Sequence, residues 1–207
     1  MAIVTVLFAT GCTAGVPAAS PATTAAESPT PVSPTPAVQE KVLITLTALR
    51  VEEGGVEREY PLAEGEQVVE LFSSLGGAPT KEPFEGPYGS EGGTRYGWPG
   101  VIVSVLDADG AASLVIEART IGDASIATAE GLAPGATREQ AKSAGAFDGP
   151  DADDDGVADL LGVQPHEVPG TVSLVDPGKP GIDYVGLVLD GDTVTKILLP
   201  ANDYADI

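Results

Sequence analysis

Residues 13–39 limit what this chain can fold into, because they are almost entirely Ala, Pro, Ser and Thr and carry Glu27 as their only charge. A segment of this composition buries too little apolar surface to offset the conformational entropy lost on ordering it. Its Pro-rich phrase SPTPVSPTP favours an extended linker that spans on the order of 80 Å at ~3.1 Å per residue. We therefore expect residues 13–39 to be a disordered tether and residues 40–207 to form the folded, acidic domain.

A short apolar run precedes this tether and ends near Cys12, the single cysteine of the chain. Residues 1–8, MAIVTVLF, are too few for a membrane-spanning helix, which needs about 20 apolar residues. They are typical of the apolar core of a secretory signal, because the small residues Ala9, Thr10 and Gly11 follow where cleavage occurs. The alternative is a buried first strand that contains an ordinary cysteine.

The small residues before Cys12 resemble a bacterial lipobox, and with the tether behind them the chain resembles a bacterial surface lipoprotein of actinobacterial type. In that family the cysteine is lipidated and becomes the mature N-terminus. The resemblance implies a signal segment at residues 1–12 and a lipid anchor in the cell membrane through Cys12. It also implies that the folded domain lies on the extracytoplasmic face.

The chain is strongly acidic, with 31 Asp and Glu against 10 Lys and Arg and a formal net charge of -21. This balance excludes nucleic acid as a partner, because such binding depends on cationic side chains that neutralise phosphates. The single cysteine excludes an intrachain disulfide, so the core or a metal must stabilise the domain. His166 is the only histidine, which excludes a multi-histidine zinc or iron site, and it is predicted to lie in a surface loop.

The pattern of apolar residues predicts an α+β fold, with antiparallel sheets and short helices. A helix is predicted at residues 66–75 from its apolar spacing, and a second from Thr137 to near Gly145, where Thr137 and Gln140 fit a capping box. Hairpin turns are predicted at Asp109-Gly110 and Gly191-Asp192. Runs rich in β-branched residues predict strands at residues 41–51, 56–60, 101–107, 112–118, 171–175, 183–190 and 193–200.

Two helical phrases, LAEGEQVVELFSSLG and LAPGATREQAKSAGA, align loosely, and each is followed by a loop and a closing hairpin. This arrangement resembles small envelope lipoproteins and β-lactamase-inhibitor-like proteins, in which each repeat is a helical pair against an antiparallel sheet. The resemblance implies two tandem helix-plus-hairpin repeats, with halves at residues 40–125 and 126–207. A single α+β domain without a repeat is the alternative.

The most specific motif is D-x-D-x-D-G-x-x-D at residues 151–159, which matches the first nine positions of a calcium loop of EF-hand type. Alternate residues of a tight loop direct their oxygen atoms at one centre, and Gly156 permits the sharp turn. We therefore predict weak, structural Ca²⁺ binding, with a dissociation constant on the order of 10⁻⁴–10⁻³ M. The predicted ligands are Asp151, Asp153, Asp155, the carbonyl of Val157, and Asp159.

This calcium motif departs from the EF-hand pattern at its twelfth position, where Gly162 stands in place of a bidentate Glu. A remote acid would then complete the shell, with Asp176 and Asp183 as unranked candidates. The alternative is a solvated acidic loop whose Asp side chains make Asx-turns.

Tyr96 and Trp98 are candidate partner-binding residues, because aromatics make up only 5% of the chain and exposed aromatics contribute much interface energy. The partner would be another envelope protein or a glycan. The structural alternative is that Trp98 closes the end of a sheet over the core.

These features predict a membrane-anchored extracytoplasmic lipoprotein whose calcium-stabilised domain binds or scaffolds an envelope component and is not an enzyme. Two alternatives are an inhibitor or sensor of an extracytoplasmic enzyme and a hydrolase that uses carboxylates alone. No G-x-S-x-G motif accompanies His166, so no catalytic residue is assigned.

Overall fold

The computed structural model describes residues 40–53, 55–86 and 92–204. These residues form a mainly β structure with two antiparallel-rich sheets and two helices. The predicted α+β class therefore agrees with the structure in broad terms. The elements in chain order are β1 (Lys41–Ile44), β2 (Ala48–Glu53), β3 (Val56–Pro61), α1 (Gly65–Gly76), β4 (Thr80–Phe84), β5 (Gly93–Trp98), β6 (Val101–Leu106), β7 (Ala112–Ile116), β8 (Thr120–Ile121), β9 (Ala124–Thr128), α2 (Arg138–Ser143), β10 (Phe147–Asp148), β11 (Leu160–Val168), β12 (Gly181–Asp190) and β13 (Thr193–Asn202).

The smaller sheet has five strands in the order β3-β2-β1-β9-β8, with β1 and β9 parallel and the other neighbours antiparallel. The prediction of one strand over residues 41–51 is wrong, because the chain reverses after Ile44 and forms the β1–β2 hairpin. Thr45 closes this turn, since both its N–H and its hydroxyl donate to the carbonyl of Ala48, at 2.9 and 2.8 Å.

The larger sheet has eight strands in the order β10-β11-β12-β13-β7-β6-β5-β4. It consists of two antiparallel meanders, β4 to β7 and β10 to β13, joined where β7 and β13 pair with Ile116 opposite Ile197. Helix α1 precedes the first meander in the chain and α2 precedes the second. The predicted hairpins β6–β7 and β12–β13 are confirmed.

Both predicted helices are confirmed. Val68, Leu71 and Phe72 of α1 are buried on one face, and the helix ends at Gly76, as its apolar spacing indicates. At the start of α2, the backbone N–H of Gln140 donates to the Thr137 hydroxyl at 3.1 Å, and the N–H of Thr137 donates to the Gln140 side-chain oxygen at 2.8 Å. This pair of bonds is the predicted capping box.

The buried apolar side chains form one core cluster to which both sheets and α1 contribute. A polar contact also links the sheets through Gln164, which has a φ of 56° at an irregularity in β11. Its side-chain oxygen accepts from the N–H of Leu46 at 2.9 Å, and its amide donates to the carbonyl of Ile44 at 3.4 Å. The end of β1 is therefore tied to β11.

Two further predictions of local structure are wrong. Residues 171–175 form no strand beyond a single bridge at Ser173, and their apolar side chains Val172, Leu174 and Val175 are exposed. His166 is exposed as expected, but it lies in β11, opposite Asp183, and not in a loop.

The predicted signal segment, the tether and Cys12 lie outside the described residues. Within residues 40–53, 55–86 and 92–204, no helix has the length and apolar character needed to cross a membrane.

Candidate functional site

The acidic motif forms the connection between β10 and β11, in the second meander of the larger sheet. The base of this loop is closed by backbone bonds, in which Gly149 N–H donates to Leu160 at 2.8 Å and Asp159 N–H donates to Pro150 at 3.1 Å. The carbonyl of Asp159 accepts from Leu189 N–H at 2.9 Å, which joins the loop to the end of β12. A paired strand therefore fixes each end of the loop.

Two hydrogen bonds from backbone N–H groups to carboxylates span the loop and give it its shape. Oδ2 of Asp151 accepts from the backbone N–H of Gly156 at 2.7 Å, and Oδ2 of Asp159 accepts from the N–H of Ala152 at 2.8 Å. Gly156 has a φ of 87°, and no atom lies within 4 Å of where its Cβ would be, so the turn needs glycine for its backbone conformation and not for space.

The loop brings three of the predicted ligands together. Each of Asp151, Asp153 and Asp159 offers one carboxylate oxygen, and the three oxygens lie within 4.8 Å of one another. Because calcium–oxygen distances are about 2.3–2.6 Å, two ligands of one ion can be separated by up to about 5 Å, so this spacing fits a calcium ion. Within the described part of the chain, it is the only such group of three.

One carboxylate oxygen of Asp151 is buried without a hydrogen bond. Oδ1 of Asp151 is shielded from solvent and has no partner among the described residues. A buried carboxylate oxygen without a donor is costly unless a cation or another donor satisfies it. The donor set therefore fits a hard cation, which prefers carboxylate and carbonyl oxygens.

Asp155 is not part of this group of convergent carboxylates, and the carbonyl of Val157 stays a predicted ligand. Oδ1 of Asp155 accepts from Val157 N–H at 2.7 Å, and Oδ1 of Asp153 accepts from Asp155 N–H at 3.2 Å. These are the Asx-turn bonds expected for the solvated-loop alternative. Each bond uses only one oxygen of its carboxylate, and the other oxygen takes no part in it.

The remote acids considered for the shell are engaged elsewhere. Asp176 forms an ion pair with Lys179, and Asp183 accepts from the hydroxyl of Tyr204 at 2.8 Å.

The carboxylates of the loop perturb one another. The hydrogen bond from Gly156 N–H stabilises the charged form of Asp151 and, against desolvation, lowers the pKa of its carboxyl. At Asp153 the hydrogen bond from Asp155 N–H also acts to lower the pKa of the carboxyl. Repulsion from Asp155, Asp159 and Asp151, together with desolvation, outweighs that bond and raises the pKa of Asp153. The negative charge at Asp153 is therefore under-compensated, which a bound cation would relieve.

Two acids that the sequence interpretation missed face the loop. Asp190 and Asp192, at the β12–β13 turn, line a hollow of about 390 Å³ together with Asp153, Asp155 and Asp159. The sequence assigns Asp190 only to the end of a strand and Asp192 only to a hairpin turn. That the turn lies against the acidic loop follows from the strand pairing of β11 and β12.

Arg138 is the one cation that lines this hollow. Its guanidinium donates to the carboxylate of Asp192 at 2.9 Å, the carbonyl of Ala158 at 2.8 Å and the carbonyl of Gly191 at 2.9 Å. Arg138 therefore holds the acidic loop against the β12–β13 turn and neutralises one of the five carboxylates.

The predicted partner-binding pair lies apart from the loop, in β5. Trp98 is 6% exposed, its ring packs 5.7 Å from that of Phe72, and its indole N–H donates to the carbonyl of Gly77 at 2.8 Å. This burial favours the structural alternative for Trp98. Tyr96 is half-buried with Lys81 over its ring, and a partner-binding role stays a prediction for it.

Comparisons of the chain with protein-family models, curated proteins and solved structures find no match.

Proposed function

We propose that residues 40–207 form a calcium-stabilised domain that binds or scaffolds an envelope component without catalysis. The observation that carries the calcium proposal is the convergence of Asp151, Asp153 and Asp159, with one buried oxygen of Asp151 lacking a partner. Calcium reduces the mutual repulsion of these carboxylates and supplies the missing partner.

The loop suits calcium better than magnesium. Calcium accepts six to eight oxygens in adaptable geometry, whereas magnesium requires near-ideal octahedral geometry at about 2.0–2.1 Å and retains several waters. Asp155 and the carbonyl of Val157 are the candidates to complete the shell, since both residues line the same hollow as Asp153 and Asp159, and water fills the remaining positions. Since Gly162 supplies no bidentate carboxylate, the affinity stays in the weak range, on the order of 10⁻⁴–10⁻³ M.

Thermal melting with and without calcium tests this proposal. Millimolar calcium is expected to raise the melting temperature of the full chain, and the double variant Asp153→Asn, Asp155→Asn is expected to lose the shift. Asp154→Asn is the control within the loop, because it removes a charge outside the convergent group. Equal shifts with calcium and magnesium in all variants would show general charge screening and contradict the proposal.

We propose further that a lipid on Cys12 anchors the protein on the extracytoplasmic face of the cell membrane. The support is the sequence of residues 1–39, an apolar signal-like segment followed by a Pro-rich tether. Stable anchoring takes more than one acyl chain, which the lipoprotein class supplies. In a bacterial host, Cys12→Ser is expected to move the protein from the membrane fraction to the medium or periplasm, and an unchanged distribution would contradict the anchor.

We also infer that the two halves of the domain are a repeat. The chain order supports this with the boundary placed before β8, because the predicted boundary at residue 125 falls inside β9. Each half then runs from a short hairpin, β2–β3 or β8–β9, through one helix to a four-stranded antiparallel meander. The meanders meet through their last strands, β7 and β13, as a local two-fold axis requires. Each half contains one helix where the β-lactamase-inhibitor-like proteins have a pair.

A further inference from the structure

A cavity of about 290 Å³ lies beside the acidic loop, between residues 147–150, the irregular segment 171–180, and Tyr184 and Asp203. Its walls are partly apolar, with the ring of Phe147, Pro150 and Pro180 among the lining residues. The volume is at the lower end of ligand pockets, which span about 300–1,000 Å³, and suits a single side chain or a small molecule.

One residue that lines the cavity carries a buried hydroxyl without a partner. Tyr184 is 1% exposed, its ring packs edge-on against Phe147 at 5.3 Å, and its hydroxyl has no hydrogen-bond partner among the described residues. Such an orphaned group destabilises the folded state, because it has lost its hydrogen bonds to water. A phenylalanine would fill the same space without this cost, so the hydroxyl points to a ligand as its partner.

The cavity also contains a carboxylate without a cation. Oδ1 of Asp203 accepts from the N–H of Ile182 at 2.6 Å, and Oδ2 accepts from the Ser173 hydroxyl at 2.5 Å. A carboxylate offers about four lone-pair positions, so these two bonds leave it able to accept more. No lysine or arginine within the described ranges pairs with Asp203.

The other charged groups that line the cavity are already neutralised in pairs. Asp148 pairs with Lys142 at 2.7 Å, and Asp176 pairs with Lys179 at the mouth. The unmatched charge in the cavity is therefore the single negative charge of Asp203. A ligand group with one positive charge complements it, and the net charge of -21 attracts such ligands over longer distances.

An exposed apolar rim, formed by Val172, Leu174 and Val175, lies beside the cavity. Val172, Leu174 and Val175 are 54%, 67% and 51% exposed, and Val175 also lines the cavity. Adjacent exposed apolar side chains beside a pocket are typical of a surface that contacts a protein or peptide. A free amine of a few carbons fills the cavity but leaves this rim uncovered.

We propose that this cavity binds a basic side chain, lysine or arginine, of a peptide segment of a partner protein. The aliphatic stem lies along Phe147, Pro150 and Pro180, and the cationic head donates to the Asp203 carboxylate. The Tyr184 hydroxyl, which is closed to solvent in the free protein, becomes a second partner when the head displaces the side chains that cover it. Apolar residues flanking the basic residue cover Leu174 and Val175. The site uses none of the residues of the calcium group, so it stands or fails separately from the calcium proposal.

Titration of the full chain with blocked synthetic peptides tests this site. The first peptide carries one lysine flanked by leucines, and the matched peptides carry norleucine or glutamate in place of the lysine. EDTA in the buffer makes the result independent of the acidic loop. We expect saturable binding of the lysine peptide and about tenfold weaker binding of the norleucine peptide, the loss expected for one hydrogen bond to a charged group.

Two variants with matched controls locate the binding. Asp203→Asn keeps the shape of the carboxylate and Tyr184→Phe keeps the ring, and each is expected to weaken binding of the lysine peptide several-fold. Asp123→Asn, which removes an exposed charge from the β8–β9 turn, and Tyr60→Phe, in the five-stranded sheet, are expected to leave affinity unchanged. Melting curves establish that each variant is folded.

Four results would overturn the proposal. They are no saturable binding of the lysine peptide, equal binding of the lysine and norleucine peptides, preference for the glutamate peptide, and unchanged affinity in both folded cavity variants. Butylammonium separates a peptide from a free amine. If it binds as tightly as the lysine peptide, the rim contributes nothing and the assignment to a peptide partner is wrong.

Discussion

The backbone N–H of Gly156 donates a 2.7 Å hydrogen bond to Oδ2 of Asp151, five residues earlier in the acidic loop. This bond requires the left-handed backbone at Gly156, whose φ is 87°. It also fixes the carboxylate of Asp151, which contributes one oxygen to the group formed with Asp153 and Asp159 and whose Oδ1 is buried without a partner. The conformation of one glycine therefore governs the convergence of the candidate ligands.

Gly156→Ala tests this dependence. The left-handed conformation costs a residue with a Cβ about 1–2 kcal/mol, so the free energy of unfolding is expected to fall by about 1 kcal/mol in urea denaturation. Gly156→Asn is the control, because asparagine tolerates this conformation, and it is expected to lose less. If alanine and asparagine both match the parent, the loop does not hold the described conformation in solution.

Trp98 provides a direct optical test of its place in the core. It is the only tryptophan, so intrinsic fluorescence reports this one residue. Because the indole is 6% exposed, we expect blue-shifted emission and weak quenching by acrylamide. Emission and quenching like those of free tryptophanamide would instead place Trp98 on the surface and restore it as a partner-binding candidate.

Gln164 is expected to stabilise the contact between the two sheets. Gln164→Ala removes the acceptor of Leu46 N–H and a donor to Ile44, and an unsatisfied group of this kind costs about 1–3 kcal/mol. Urea denaturation measures the loss. Gln67→Ala, at the exposed start of α1, is the matched control and is expected to change stability by less than about 0.5 kcal/mol. Equal effects of the two variants would contradict the role of Gln164.

Tyr184 is expected to make the stability of the folded domain depend on pH. Burial, aided by the negative charge of Asp203, raises the pKa of its phenol. The folded state thus holds this proton more tightly than the unfolded state. The free energy of unfolding is therefore unaffected by this ionisation below the ordinary tyrosine pKa of about 10 and falls as the pH rises through the raised value.

Tyr184→Phe isolates this effect. The parent protein is expected to lose more stability than the variant above about pH 10, measured by denaturation across the alkaline range. Ultraviolet titration should show that the tyrosine missing from the variant ionises later than the others. An ordinary ionisation for that residue would contradict its burial.

Features encoded by local sequence are predicted well. The apolar spacing identifies α1, the Thr137 and Gln140 pair identifies the start of α2, and the turns near Gly110 and Gly191 identify two hairpins. Each depends on contacts within a few residues, so the sequence carries the full signal.

The errors arise where tertiary contacts decide the structure. The reversal at Thr45 contains neither Gly nor Pro, and buried apolar residues such as Ile44 and Leu49 stand on both sides of it, so the run reads as one strand. The segment containing Val172 and Leu174 is apolar but exposed, which no local pattern indicates.

In the candidate sites too, residues close in sequence are predicted and residues brought together by the fold are not. The three convergent aspartates come from one nine-residue motif, whose spacing predicts them together with Asp155, which is not in the convergent group. Asp190 and Asp192 face the loop only through strand pairing, and Tyr184 meets Asp203 only in the folded domain. Neither pairing has a signature in sequence spacing.

Calcium titration followed by two-dimensional NMR tests the central claim most directly, since it detects weak binding residue by residue. The amides of Ala152 and Gly156, which donate to candidate ligands, are expected to shift saturably at millimolar calcium, while Gly122 in the β8–β9 turn does not shift. Asp154→Asn should keep the response and Asp159→Asn should lose it. Non-saturable shifts, or a full response in Asp159→Asn, would contradict calcium binding by this loop.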